Sequence, residues 1–168
     1  MPSTKTKQIM EHKIEKFLEP RMVLVRHILV PFDDSEYSYT AFDFALDLAK
    51  KYGAKISVLS VMYSSAVSSS FLDLNAHQTS IERNRLKRLS KEFGVLKALA
   101  DKRKVSFNAD VIMSSSVAET ILAFASSQKA ELIIMGTRGR TGGPRHLRLG
   151  SVAFDVTQNS NIPVLLVK

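Results

Sequence analysis

The chain has 168 residues, of which 45% are hydrophobic and 24% charged, and this composition is typical of a single globular domain. It contains no cysteine, which excludes disulfides and thiolate metal sites and is typical of a reducing compartment. The formal net charge of +8 favours anionic partners through long-range attraction. Because neither a membrane span nor a signal peptide is recognisable, we expect a cytoplasmic protein with no membrane partner.

Residues 1–20 are predicted to form an N-terminal extension, and residues 21–168 a single domain. The extension carries a narrow helical stripe of apolar residues before Pro20: Met10, Ile14, Phe17 and Leu18. Glutamates alternate with lysines along it, which disfavours a helix on a membrane surface. We expect an accessory helix packed on the domain or on a partner subunit, with a partly ordered tail as the alternative.

The domain begins with a predicted strand and helix. Apolar residues within 23–30 stop at Pro31, which is typical of a buried strand. The next segment has apolar residues at helical spacing: Ala41, Phe44, Ala45 and Leu48. Asp34 or Ser35 is expected to cap the start of this helix, and Gly53 to end it.

The middle of the chain continues the alternation. Residues 55–62 are rich in β-branched side chains and predict the second strand, whereas the serine-rich residues 64–70 predict a loop. A long helix over about 78–102 follows from apolar residues at steps of three and four: Leu86, Leu89, Phe93, Leu96 and Ala100. Residues 105–113 form the third predicted strand.

The last third of the chain supplies two more helices and two more strands. A third helix, capped by one of the serines 114–116, is predicted from the spacing of Val117, Ile121, Phe124 and Ala125. Residues 132–135 and 163–167 predict the fourth and fifth strands. Between them, Val152 and Val156 share one face of a last helix.

This alternation predicts an α/β fold: a five-stranded parallel sheet with helices on both faces. In such sheets ligands bind beyond the carboxyl ends of the strands, near the point where the strand order reverses. Two segments are placed for that role, residues 31–35 after the first strand and residues 135–151 after the fourth.

The second of these segments, MGTRGRTGGPRHLRLGS, contains five glycines and no carboxylate. Glycines allow the backbone to approach a ligand closely, and exposed N–H groups at a helix start bind anions. Ser151 is expected to cap the last helix and to donate its hydroxyl to a phosphate. Four arginines of the loop are suited to bidentate contacts with phosphate oxygens: Arg138, Arg140, Arg145 and Arg148. On these grounds alone, a phosphate site and a solvated loop with incidental arginines both remain open, and no Walker A or GxGxxG motif is present.

A basic stretch, residues 82–104, contains nine lysines and arginines against three acidic residues. It coincides with the predicted second helix, and such charge runs usually form a solvated helix face. The alternative is a nucleic-acid interface, but the stretch has no aromatic residue apart from Phe93, which fits the apolar stripe. Binding of nucleic acid is therefore the less favoured interpretation.

Four stretches, in order, resemble the universal stress protein family. They are ILVPFDDSE (28–36), AELIIMGTRGRTG (130–142), LGSVA (149–153) and PVLLV (163–167). The resemblance covers about residues 24–168. It implies a flavodoxin-like sheet of the adenine nucleotide alpha hydrolase-like kind. It implies the strand order 3-2-1-4-5 and a homodimer paired through residues 163–168.

One branch of this family binds ATP through the motif Gly-x2-Gly-x9-Gly-Ser/Thr. Ten nucleotide-binding residues are predicted, nine implied by the resemblance and Arg138 by the chemistry of the loop: Pro31, Asp33, Val61, Met135, Gly136, Arg138, Gly139, Gly150, Ser151 and Val152. The glycines and Ser151 would hold phosphates and ribose, with Mg²⁺ on the phosphates, and Val61 would pack on the base. Asp33 would meet the adenine edge, although a carboxylate at a strand end can instead cap the next helix.

The chain departs from this motif at one place. Ten residues, 140–149, separate Gly139 from Gly150, where the motif has nine. The extra residue falls near Gly143 and Pro144, where a bulge would leave Gly150 and Ser151 in position.

We therefore expect an ATP-binding regulatory protein of the stress response that acts as a homodimer. The alternatives are a dimeric scaffold of the same fold that binds no nucleotide and, less favoured, a nucleic-acid-binding protein. No pair of residues stands out as a positioned base and nucleophile, so no catalytic residue is predicted and ATP hydrolysis would at most be slow. His146 is interpreted as polar surface.

Overall fold

The computed structural model describes three stretches of the chain: residues 25–63, 76–140 and 149–168, with side chains from residue 82 onward in the second stretch. The predicted extension 1–20, the serine-rich loop 64–70 and the bulge near Gly143 and Pro144 lie outside the described residues. The predicted domain bounds therefore remain a prediction.

Five strands alternate with four helices along the described residues. The strands are β1 (His27–Pro31), β2 (Lys55–Tyr63), β3 (Phe107–Ser114), β4 (Leu132–Gly136) and β5 (Val164–Val167). The helices are α1 (Glu36–Tyr52), α2 (Ala76–Arg103), α3 (Val117–Ser127) and α4 (Ser151–Asn159). All neighbouring strands are parallel, in the order β3-β2-β1-β4-β5, which confirms the predicted fold class and strand order.

The sheet is covered on both faces. Successive side chains of a strand point to opposite faces, so β1 contributes Ile28 and Val30 to one apolar layer and Leu29 to the other. Helices α1 and α2 complete the first layer, and α3 and α4 complete the second. The connections change face between β1 and β4, where the strand order reverses, and a crevice forms at the carboxyl ends there. In the described part of the chain, no helix has the length and apolar character needed to cross a bilayer.

Local signals at the ends of α1 agree with the prediction. Ser35 is the N-cap: its hydroxyl accepts a hydrogen bond from the Ser38 backbone N–H at 3.2 Å, and the Ser38 hydroxyl accepts one from the Ser35 N–H at 3.1 Å. Gly53 ends the helix in the left-handed region at φ 69°. Asp34, the other predicted cap, lies before the helix with a φ of 65°.

The predicted buried face of α1 was partly wrong. Phe44 is 44% exposed, whereas Phe42 is buried, because the buried face is centred between the Ala41–Ala45 and Phe42–Leu46 rows. The apolar stripe of α2 also begins later than predicted. Leu86 is exposed, whereas the later stripe residues pack in the core: Leu89, Phe93, Leu96 and Ala100. The first strand begins at His27, so Val25 precedes it.

Candidate functional site

A cavity of about 670 Å³ opens at the carboxyl ends of β1, β2 and β4. This volume lies within the range of roughly 300–1,000 Å³ that is usual for small-molecule sites. All ten residues predicted to bind the nucleotide line it: Pro31, Asp33, Val61, Met135, Gly136, Arg138, Gly139, Gly150, Ser151 and Val152. The fold thus brings together residues that lie up to 121 positions apart in the chain.

Arg140, one of the loop arginines suggested for phosphate contacts, also lines the cavity. The cavity has further walls that the sequence did not predict, formed by Phe32, Ser38, Leu59, Tyr63, Arg85, Val117, Ile121, Leu149 and Ala153. Val117 and Ile121 belong to the apolar stripe that predicted α3, so the sequence carried a signal for their burial but not for a place at the site. Arg85 comes from α2, which the sequence suggested only as a solvated basic face.

Asp33 connects the first strand to the glycine-rich loop. Its Oδ1 accepts hydrogen bonds from the Ser35 N–H at 3.2 Å and from the Ser35 hydroxyl at 2.6 Å, and its Oδ2 accepts one from the Arg140 N–H at 2.9 Å. The contacts with Ser35 hold the turn before α1, but Asp33 does not cap the helix as the alternative expected, because Ser35 is the N-cap. A carboxylate has about four acceptor positions, so one remains for another donor in the cavity.

Two motif glycines allow close approaches between backbones and neighbouring groups. A Cβ on Gly136 would lie 2.6 Å from the Tyr37 Cβ and 2.9 Å from its carbonyl carbon, so α1 packs directly against the end of β4. A Cβ on Gly139 would lie 2.6 Å from the Asp33 Oδ2. Both glycines therefore serve the packing of the loop.

The two described ends of the loop meet at the start of α4. The Gly150 N–H donates to the Thr137 carbonyl at 2.9 Å, and the Phe154 N–H donates to the Gly150 carbonyl at 2.9 Å. Gly150, with φ −60° and ψ 151°, is therefore the N-cap, and Ser151 is the first helical residue. The prediction of Ser151 as the cap was wrong because the Gly150 carbonyl already accepts the first helical hydrogen bond.

The lining of the site combines apolar and cationic side chains. Side chains of β2, β4 and α4 form an apolar wall that includes Val61, Met135 and Val152. The described lining residues include three arginines, 85, 138 and 140, against one carboxylate, Asp33. The first turn of α4 adds the positive end of a helix dipole. This arrangement suits a ligand with a flat apolar part and an anionic part.

Together, the parallel sheet and the cavity at its switch point define a doubly wound α/β protein with a candidate ligand site at the carboxyl ends of its strands. A family model, Universal stress protein family, matches residues 25–168. The chain is 34% identical over 150 residues to universal stress protein MJ0531 of Methanocaldococcus jannaschii, covering 86% of this chain and 83% of that protein. It is 32% identical over 147 residues to universal stress protein YxiE of Bacillus subtilis, covering 84% and 97%. The chain belongs to the universal stress protein family, which confirms the resemblance.

Solved structures share this fold. Protein MJ0577 superimposes with a TM-score of 0.74 at 23% identity, covering 87% of this chain and 97% of that one. A universal stress protein in complex with cAMP gives 0.57 at 20% identity, covering 86% and 97%. The universal stress protein from Archaeoglobus fulgidus in complex with dAMP gives 0.61 at 17% identity, covering 88% and 100%.

Proposed function

We propose that this universal stress protein binds ATP in the cavity at the carboxyl edge of its sheet. The observation that carries the proposal is the convergence of all ten predicted residues on one cavity that is lined by apolar side chains and by arginines. Two proteins of the same fold are described as complexes with cAMP and dAMP, which supports an adenine nucleotide as the ligand class.

Each part of the nucleotide has a suitable partner. The base would pack between Val61 and Met135, and its amino group would donate to the remaining acceptor position of Asp33. The phosphates would lie at Gly150 and Ser151, where the first turn of α4 lines the cavity and its N–H groups have no helical partner. The described residues hold no group of three or more carboxylate or histidine side chains suited to a metal, so Mg²⁺ would be held mainly by phosphate oxygens.

The proposed output is regulation of the stress response. Asp33 accepts a hydrogen bond from the backbone of Arg140, so a ligand that engages this carboxylate would be linked through it to the glycine-rich loop. We place the protein in the cytoplasm, which its lack of cysteine supports, and propose at most slow ATP hydrolysis. We further propose a homodimer paired through β5, because this strand lies at an edge of the sheet.

Calorimetric titration with ATP and Mg²⁺ tests the binding proposal. We expect saturable heat with the wild-type protein and weaker binding by Asp33→Ala and Gly150→Ala. A Cβ on Gly150 would lie 3.4 Å from the Arg138 Cα, an accommodated distance, so Gly150→Ala is expected to fold while disturbing the approach of the phosphates. Gly94→Ala, where a Cβ meets nothing within 4 Å, is the matched control. No heat and no thermal shift at millimolar ATP would leave the dimeric scaffold as the function.

A further inference from the structure

Helix α2 is attached to the turn between β1 and α1 by polar contacts. The Arg88 guanidinium forms an ion pair with the carboxylate of Asp34, whose side chain is only 9% exposed. The Tyr39 hydroxyl donates to Glu92 and lies 3.2 Å from the Asp34 carboxylate. Burial and the neighbouring Glu92 raise the pKa of Tyr39, so this hydroxyl remains a donor at neutral pH.

Aromatic packing supports the same attachment. The rings of Phe32 and Tyr39 meet edge to face with centroids 5.0 Å apart, and Phe32 lies 6.2 Å from Phe93 of α2. Residues 88 and 92 are one helical turn apart, and they contact Asp34 in the β1–α1 turn and Tyr39 in the first turn of α1. These contacts fix the rotation of α2 about its axis, so that the side of the helix bearing Arg88 and Glu92 faces the β1–α1 turn beside Asp33.

Arg85 lies on this same side of α2 and reaches the cavity. It lies three residues before Arg88, on the same side of the helix, and its partly buried side chain lines the cavity. Within residues 25–63, 76–140 and 149–168, its guanidinium forms no ion pair, whereas Arg88 and Arg103 of the same helix each pair with carboxylates. The cavity therefore contains a guanidinium that no described carboxylate neutralises.

We propose that Arg85 binds the phosphate chain of the nucleotide and makes the site selective for nucleoside di- and triphosphates over monophosphates. Helices α2 and α4 cover opposite faces of the sheet, so Arg85 and the start of α4 approach the cavity from different sides. A single phosphate held at Gly150 and Ser151 engages one side, while a longer phosphate chain also reaches the Arg85 guanidinium. This inference rests on the proposed nucleotide function.

The test compares ATP, ADP and AMP affinities of the wild-type protein, Arg85→Gln and Arg83→Gln. Arg83 is exposed on another side of α2 and does not line the cavity, so its variant removes the same charge without touching the site. We expect Arg85→Gln to weaken ATP and ADP binding at least about tenfold and AMP binding less than about threefold. Arg83→Gln should leave all three affinities unchanged, and Arg85→Lys should restore part of the loss because it keeps the charge without the planar fork.

The outcomes separate this inference from the function on which it rests. Equal losses for ATP and AMP would assign Arg85 to the base or ribose and overturn the selectivity. Unchanged ATP affinity in Arg85→Gln, with a wild-type protein that binds ATP, would overturn the role of Arg85 alone. A wild-type protein that binds none of the three nucleotides would remove the proposed function and the inference together. An unchanged thermal midpoint of Arg85→Gln shows that lost affinity is not lost folding.

Discussion

Gly136 has a packing reason to be glycine that is independent of any phosphate. It ends β4, and a methyl group there would collide with the Cβ and backbone of Tyr37 in the first turn of α1. We expect Gly136→Ala to lower the free energy of unfolding by about 1–3 kcal/mol, as is usual for overpacking, because a backbone neighbour cannot rotate away. Equilibrium unfolding in urea measures the effect.

Gly94 provides the opposite case in the same protein. It lies inside α2, and a Cβ there would meet nothing within 4 Å. Gly94→Ala should therefore raise the free energy of unfolding by up to about 1 kcal/mol through helix propensity.

If Gly136→Ala unfolds at the same urea concentration as the wild-type protein, the close contact between β4 and α1 does not exist in solution.

Most of the site could be predicted from its residues because the motif is local. Gly136, Gly139 and Gly150 belong to one segment, and Asp33 follows directly after a recognisable strand. The place of Arg85 could not be predicted in this way. It depends on the rotation of α2, which is fixed by an ion pair between residues 54 positions apart in sequence.

At the scale of elements, periodicity and caps predicted every described strand and helix, with differences of a few residues at most ends. Ser35 and Gly53 act through hydrogen bonds and dihedral angles of their own neighbourhood, so short sequence signals suffice. The buried face of α1 was less predictable, because Phe42 and Phe44 flank the same small alanines. Tertiary packing decides which of the two is buried: the Phe42 ring meets Phe107 of β3 edge to face with centroids 6.0 Å apart.

The proposed homodimer pairs through the outer edge of strand β5, so substitutions in this strand test it. The Ile133 and Thr137 N–H groups donate to the Pro163 and Val167 carbonyls, so odd-numbered residues of β5 face β4. By the alternation of a strand, the N–H of Leu166 points to the outer edge. We expect Leu166→Pro to convert a dimer into a monomer, measured by light scattering, because it removes an outward donor without removing one that faces β4.

The matched control for this change is Leu166→Ala, which loses most of the side chain but keeps the backbone N–H. This variant should remain a dimer at concentrations where Leu166→Pro is monomeric, although both lose packing on the α3–α4 face. Circular dichroism confirms that each remains folded. A wild-type monomer, or a Leu166→Pro dimer, would contradict pairing through β5.

At the scale of the whole molecule, His27 links three elements at the amino ends of the strands, the end of the sheet away from the cavity. It is 3% exposed, its Nδ1 donates to the Gln128 carbonyl after α3 at 2.9 Å, and its Nε2 lies 2.8 Å from the Ser57 hydroxyl of β2. Burial lowers the pKa of His27 below its usual 6.5, and the charge of Lys55 acts in the same direction. These effects outweigh the opposing influence of the Gln128 carbonyl and Glu131.

A lowered pKa for His27 makes the stability of the fold depend on pH. Below about pH 6.5, His27 binds a proton in the unfolded chain but not yet in the folded protein. The neutral, buried His27 therefore makes its full contribution to the free energy of unfolding above pH 6.5. That contribution is lost as the pH falls towards the pKa of His27 in the folded protein. The loss contributes at most about 1.4 kcal/mol per pH unit to the free energy of unfolding. Urea unfolding at pH 7.5, 6.5 and 5.5 measures it, and Glu131, whose lowered pKa matters only below its usual 4.5, does not interfere in this range. We expect a shallower dependence in His27→Gln, so equal slopes in the two proteins would show that His27 takes up its proton as readily folded as unfolded.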